Sequence, residues 1–434
     1  MMFLKLKRAF YSKIGTEIKL SVLLKVINVT CQLVLARILL DSLGEKSYGL
    51  FATILTINIV FGSLDLGIGN GIRNMVASSL DSSKYQLRLG YFNSGVLTLL
   101  LLVCVITALV YYFDMVFSIN HFFNLEGTEF NSYLISTIIA VGISFVFKSG
   151  ISVYQSIGKS YMGELALFIY NLALILFVAG LDFRSILTID LLVLVNCILF
   201  PSVYFFFFIL CLIKNKNVIK LDLRYVNFKS IRELIDLSYG FFVVSLSSLL
   251  IYGSINFVLL KFIGPEAVTV YFANTKILTG LLLLHYAIIN PLWSKVSRSR
   301  SDINSIRRVS RAMKRYLAIA TFLIISVSLF SPFIQKIWLG DLELFRLDIT
   351  VLVTCYTILY AWSNGHSFIL NGLSLVKVQR NYMAVLALLY PFLVTKLISA
   401  FGLGGFVAAL IIITIPGFII NIGYLERQLL KSRI

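Results

Sequence analysis

The chain has 434 residues, 59% of them hydrophobic and only 13% charged, with a formal net charge of +18. A sequence this apolar cannot bury itself as a water-soluble globule of its length, so lipid must be the solvent for most of its surface. The positive charge then needs no nucleic acid to explain it.

Taken in order, twelve apolar stretches mark predicted membrane spans at 20–40, 49–72, 91–113, 132–154, 163–181, 191–213, 237–263, 268–293, 316–333, 349–370, 382–400 and 403–425. Each has roughly the 17 to 25 residues that a helix rising about 1.5 Å per residue needs to cross a hydrocarbon core of about 30 Å. The basic segment before the first span lacks a small-residue cleavage site, which predicts a retained helix and not a removed signal peptide. Of the 38 basic residues, 28 fall on the terminal segments and on alternate connections, whereas the opposite connections carry Lys46, Arg184, Lys336 and Arg346. Cationic segments resist translocation, so both termini are predicted to be cytoplasmic. The run Arg307, Arg308, Arg311, Lys314 and Arg315 reads as a short loop between spans, a topology signal beside anionic lipid and not a nucleic-acid site.

Cys31, Cys104, Cys197, Cys211 and Cys355 all lie inside apolar spans without paired metal spacing, and His121, His285 and His366 are scattered, so no metal or other cofactor is expected. The run Gly67-Ile68-Gly69-Asn70-Gly71 closes the second span instead of following a strand, which predicts helix termination and close packing, not phosphate binding.

In the first span Ser21, Lys25, Asn28 and Gln32 recur at helical spacing and share one face. Ser245, Ser248, Tyr252 and Asn256 form a similar stripe in the seventh. An offset of 224 carries Ser21 to Ser245, Asn28 to Tyr252, Gln32 to Asn256 and Arg37 to Lys261. Further on, Asp65 corresponds to His285, and Tyr154-Gln155-Ser156 to Leu370-Asn371-Gly372 at an offset of 216. These matches predict an all-α integral membrane protein of two parallel six-helix repeats around a central site. The expected lobes are 1–213 and 237–434, joined by a basic cytoplasmic linker at 214–236.

Leu35-Ala36-Arg37-Ile38-Leu39 followed by Gly44 and Tyr48-Gly49-Leu50, Asp65-Leu66-Gly67-Ile68-Gly69-Asn70 at the end of span two, and Leu370-Asn371-Gly372 with Lys377-Val378-Gln379 after span ten give the chain a recognisable pattern. Over essentially its whole length it resembles the Wzx-type O-antigen repeat-unit flippases, in the multidrug/oligosaccharidyl-lipid/polysaccharide exporter (MOP) superfamily. The resemblance implies a V-shaped, bilobed transporter of the bacterial inner membrane that moves an undecaprenyl-diphosphate-linked oligosaccharide from the cytoplasmic to the periplasmic leaflet by alternating access. It implies no enzymatic activity, and a polysaccharide polymerase and chain-length machinery as partners beside the lipid-linked saccharide and membrane lipids.

An anionic cargo would suit the cations inside the spans, Lys25, Arg37, Lys148, Lys261, Lys276 and Lys396, six against which Asp65 alone reads as an interior acid. For the five nearest helix ends, snorkelling or packing between helices is the competing role. Lys276 lies deeper, opposite the face that carries Asn274 and His285. The substrate-binding candidates are therefore Lys25, Asn28, Gln32, Arg37, Lys148, Ser248, Tyr252, Asn256, Lys261 and Lys276. Asp65 and His285 are the candidates for ion or proton coupling. A drug or cation exporter of the same superfamily should instead line its cavity with acids, and a membrane-bound polymerase or acyltransferase should present convergent catalytic groups in a long external loop.

Overall fold

The computed structural model describes residues 15–32, 34, 35, 38, 39, 42, 51, 65–80, 82–117, 130–183, 186–339 and 342–431. Every regular element among them is helical. Eight of these helices are long and apolar enough to cross a membrane. The chain divides into two compact units, Met1–Phe242 and Val243–Ile434.

The first unit holds α1 (residues 15–32), α2 (Ile68–Ser78), α3 (Tyr85–Phe117), α4 (Phe130–Ser156), α5 (Tyr161–Phe183), α6 (Ile189–Lys214) and the start of α7 (Phe228–Ser248). Its core joins Ile72, Phe92, Val141, Phe145, Tyr154, Leu174 and Phe207. α4 packs on α2, α3, α5 and α6. The outer side of α3 instead leaves Leu101, Val105 and Leu109 exposed, as lipid but not water would favour.

The second span was expected to run unbroken to Ile72, with the glycine run at its end. The chain instead turns at Leu66 and Gly67, both at positive φ, and α2 starts afresh at Ile68. The glycines therefore begin a helix; the preceding 52–64 segment is outside the described residues. Their second expected job holds: a Cβ on Gly67 would meet the Ser238 carbonyl oxygen at 2.6 Å and the Phe241 Cβ at 2.7 Å, so only glycine lets α2 approach α7 this closely.

The connection after α6 is fastened to the first unit. Arg88 is buried on α3 and donates to the carbonyls of Val218 at 2.7 Å, Asn217 at 3.2 Å and Ser79 at 2.5 Å. One turn on, Asn93 donates to Lys220 O at 2.9 Å and accepts from Asp222 N at 2.8 Å, and Tyr91 donates to Glu233 Oε2 at 2.6 Å. Arg88 is one of the 28 basic residues that the sequence places on the terminal segments and alternate connections as a topology signal. Its burial shows why a cation at that depth is tolerated: its donors are aimed at backbone acceptors.

In the second unit, α7 passes through a π turn at Leu249–Gly253 into α8 (Ile255–Phe262). The helices α9 (Pro265–Arg298), α10 (Ile303–Leu329), α11 (Ser331–Leu339), α12 (Leu347–Gly372) and α13 (Val376–Lys431) follow. The predicted seventh span was one continuous helix; the π turn interrupts it between Ser248 and Ile255. The ninth span, expected at 316–333, is two helices that part at Phe330. Its basic run is not a loop: Arg307 to Arg315 lie on α10, which starts where Asp302 accepts from the amides of Asn304 and Ser305, both at 3.0 Å. Within α13, two arms meet at Gly402, which has φ 55° and ψ −132°, at the predicted gap between the last two spans.

Candidate functional site

Each unit encloses one polar cavity among the described residues that the sequence pattern makes comparable. In the first unit Asp65, Asn70, Lys148, Ser152, Gln155 and Tyr204 line a space of about 200 Å³, with Gly69, Ile151 and Gly163 completing the wall. Asp65 accepts from the amides of Gly67 at 2.9 Å and Gly69 at 3.0 Å, so it caps the first turn of α2 while facing the cavity. Across from it, the Lys148 ammonium lies 4.9 Å from the Phe200 ring centre and 4.8 Å from that of Tyr204, a cation–π seat on α6.

The cavity of the second unit, about 220 Å³, is uncharged. Ser248 and Tyr252 line it from α7 and the π turn, Tyr286 from α9, Tyr360, Ser363, Asn364, Ser367 and Asn371 from α12, and Gln379, Tyr382 and Asn421 from α13. A hydrogen-bond network fixes these groups. Tyr286 and Tyr360 share a short hydroxyl contact, Asn364 donates to the Tyr286 hydroxyl at 3.0 Å, Ser367 donates to Gln379 Oε1 at 2.7 Å, and Asn421 donates to the Tyr382 hydroxyl at 2.9 Å. The Tyr252 ring stands edge-on to Tyr360 with centres 5.2 Å apart.

The two cavities occupy equivalent places in the repeat. The offset of 216 takes Lys148, Ile151, Ser152, Gln155 and Gly163 to Asn364, Ser367, Phe368, Asn371 and Gln379, and all five partners line the second cavity. Four of these pairs share one helix face and the fifth lies on the next helix, so one offset matches both the face and the helix that follows it.

Other candidates fall elsewhere. Asn28 is buried and donates to Glu164 O at 3.0 Å and Glu164 Oε2 at 3.3 Å while accepting from Asn171 at 3.1 Å. Lys25 reaches Glu164 Oε1 at 3.5 Å. The stripe of α1 thus binds α5 through Glu164, an acid that the sequence reading did not set against these cations. Gln32 is exposed. Arg37 and the Asn256 side chain lie outside the described residues. Lys261 is exposed with its ammonium 6.0 Å from the Phe262 ring centre. Lys276 is exposed, 4.4 Å from that of Phe272, whereas the opposite face of α9 is buried. On that face Asn274 accepts from Arg346 N and Thr350 Oγ1, both at 3.0 Å, and His285 stacks on Tyr316 with Nδ1 2.9 Å from its hydroxyl.

Sequence reasoning missed most of the second cavity, finding only Ser248 and Tyr252. The signal was present in Ser363, Asn364, Ser367 and Asn371, which recur within an apolar span, and in the 216 offset, which sends Lys148 to Asn364.

No family model matches the chain. Among solved structures, a MATE transporter in its straight conformation superposes with a TM-score of 0.75 at 14% identity, covering 96% of each chain. A MOP-superfamily transporter from Pyrococcus furiosus, reported with a binding pocket of reversed polarity, does so with a TM-score of 0.71 at 13% identity, covering 95% of this chain and 96% of that one. The fold is that of the MOP-superfamily transporters. In sequence the chain is 21% identical over 369 residues to a Salmonella typhi protein named as an O-antigen transporter, covering 82% of each. It is 20% identical over 376 residues to a Yersinia pseudotuberculosis protein named as an O-antigen export protein, covering 81% of this chain and 82% of that one. The chain has the MOP fold, and each of its two compact units holds one of these polar cavities.

Proposed function

We propose that the chain is a flippase that carries an undecaprenyl-diphosphate-linked saccharide, an O-antigen or related repeat unit, from the cytoplasmic to the periplasmic leaflet of the bacterial inner membrane. The observation that carries this reading is the second unit's cavity, whose lining offers hydroxyls, amides and tyrosine rings but no carboxylate to attract a cationic drug. The likeness to proteins named for O-antigen transport and export supports the same cargo class. Cations are needed for the diphosphate, and Lys148, Lys261 and Lys276 are proposed for that role, together with Arg37. Alternating exposure of a central site to the two sides lets a polar headgroup cross without meeting hydrocarbon. The delivered unit would then pass to a polysaccharide polymerase and its chain-length machinery.

Asp65 favours a second reading, a cation exporter, because its carboxylate lines the first unit's cavity. Gene deletion separates the two. A flippase deletion stops surface glycan display and leaves lipid-linked units on the cytoplasmic leaflet, and vesicles containing only the purified protein restore their access to the other face. Normal surface glycan after deletion, with no second flippase present, rejects the proposal; increased sensitivity to cationic drugs alongside it selects the exporter.

A further inference from the structure

Resting on the saccharide reading, we infer that the cavity between α7, α9, α12 and α13 in the second unit is a subsite for one uncharged sugar ring of the repeat unit. Its volume of about 220 Å³ is below the roughly 300 to 1,000 Å³ of pockets that enclose drug-sized ligands, which suits a single ring and not a whole repeat unit. A pyranose has an apolar face of C–H bonds and an edge of hydroxyls. The tyrosine rings of Tyr286, Tyr360 and Tyr382 supply surfaces for the first, and the amides of Asn364, Gln379 and Asn421 supply donors and acceptors for the second.

One acceptor is waiting. Asn364 spends an amide N–H on the Tyr286 hydroxyl at 3.0 Å, while its Oδ1 is buried without a hydrogen-bond partner. A buried acceptor left unmatched is costly, and a small turn of the Asn364 amide that brings Oδ1 to the cavity lets a sugar hydroxyl donate to it and remove that cost. The comparison with the first unit decides the charge of the ligand. Lys148 stands at the equivalent position and faces a cavity shared with Asp65, whereas the Asn364 cavity has no charged lining residue. A uronic acid carboxylate placed there would lose its hydration without gaining a cation. The subsite therefore selects neutral sugars, hydroxylated or acetamido-substituted, and excludes acidic ones.

Gly417 provides the test. A Cβ at this position would meet Ser363 Oγ at 2.8 Å and the Tyr382 hydroxyl at 3.3 Å, intruding on the cavity wall, whereas a Cβ at Gly423 on the same helix meets nothing within 4 Å. Saturation-transfer NMR on the purified full chain in detergent should show ring-proton signals from methyl glucoside and methyl N-acetylglucosaminide, and none from methyl glucuronide. Gly417→Ala and Asn364→Leu should each weaken binding of the neutral glycosides by about fivefold, the scale of one lost hydrogen bond. Gly423→Ala should leave it unchanged. If either cavity variant fails to fold by size-exclusion chromatography, Tyr382→Phe, which removes one hydroxyl and no bulk, takes its place with the same expectation. Equal binding of the glucuronide, no binding of neutral glycosides, or undiminished neutral binding in folded cavity variants overturns the subsite. Absent glycoside binding combined with loss of surface glycan on gene deletion rejects the subsite and leaves the flippase standing; normal glycan on deletion rejects the flippase itself.

Discussion

Asn28 carries three hydrogen bonds within the first unit, two given to Glu164 and one received from Asn171. Replacing it with leucine should lower stability by about 1 kcal/mol, the scale of polar contacts between membrane helices, read as the melting of the protein in detergent. Loss of transport with unchanged melting would instead make Asn28 a cargo contact. Lys148 and Asp65 face one cavity, and removing one charge there strands the other. Lys148→Met should therefore reduce membrane abundance more than the Lys148→Met/Asp65→Asn double variant does. Immunoblots of membrane fractions would measure this, and a double variant as scarce as the single would argue against coupling. The polarity of the α1 face was legible because its spacing is helical. Its partner was not, because spacing reports which residues share a face and says nothing about the helix that meets it; the acid at 164 lay in the sequence but had no pattern to tie it to 25 and 28.

At the scale of elements, two devices depend on geometry that apolar composition does not encode. Ser248 and Tyr252 line one cavity from the stretch where α7 passes into the π turn at Leu249–Gly253. Inserting an alanine after Leu250 should rotate Tyr252 by about 100° relative to Ser248. The expected result is a protein that inserts at normal abundance yet fails to restore surface glycan in a deletion strain. The second device is the Arg88 clamp, which holds the connection between α6 and α7 by its carbonyls. Arg88→Met removes charge-assisted bonds in a buried setting, a loss of about 2 to 4 kcal/mol, and should expose residues 215–227 to protease added to inside-out vesicles. Unchanged protection would show that Asn93 and Tyr91 suffice. Both the π turn and the break at Phe330 escaped the sequence reading for one reason: a run of apolar residues long enough to span lipid reads as a single helix whether or not its backbone turns inside it.

For the whole molecule, orientation is the property most directly open to test. Ser301 and Glu343 are both exposed, on connections predicted to lie on opposite sides. Single cysteines at these positions in a cysteine-free background should label differently, Glu343→Cys in intact cells and Ser301→Cys only after permeabilisation. Reversal at both sites would overturn the cytoplasmic placement of the termini. The helical class and the duplication were readable from hydropathy and from the short matches near 154 and 370, since both are properties of period and order. The cavities needed coordinates, because their walls draw on helices far apart in the chain.

The pairing of a charged cavity in one repeat with a neutral one in the other has a consequence for descent. An ancestor made by duplication began with two identical chambers, so charge at 148 and an amide at 364 record a divergence after the copies fused. With a sugar seated in the later chamber, a lineage that changes its surface glycan would accumulate substitutions around 360–421 while the surroundings of 65 and 148 stay still. Substitution rates compared half against half among strains with different glycans should be lopsided, and the direction of the imbalance would identify the chamber that meets the sugar.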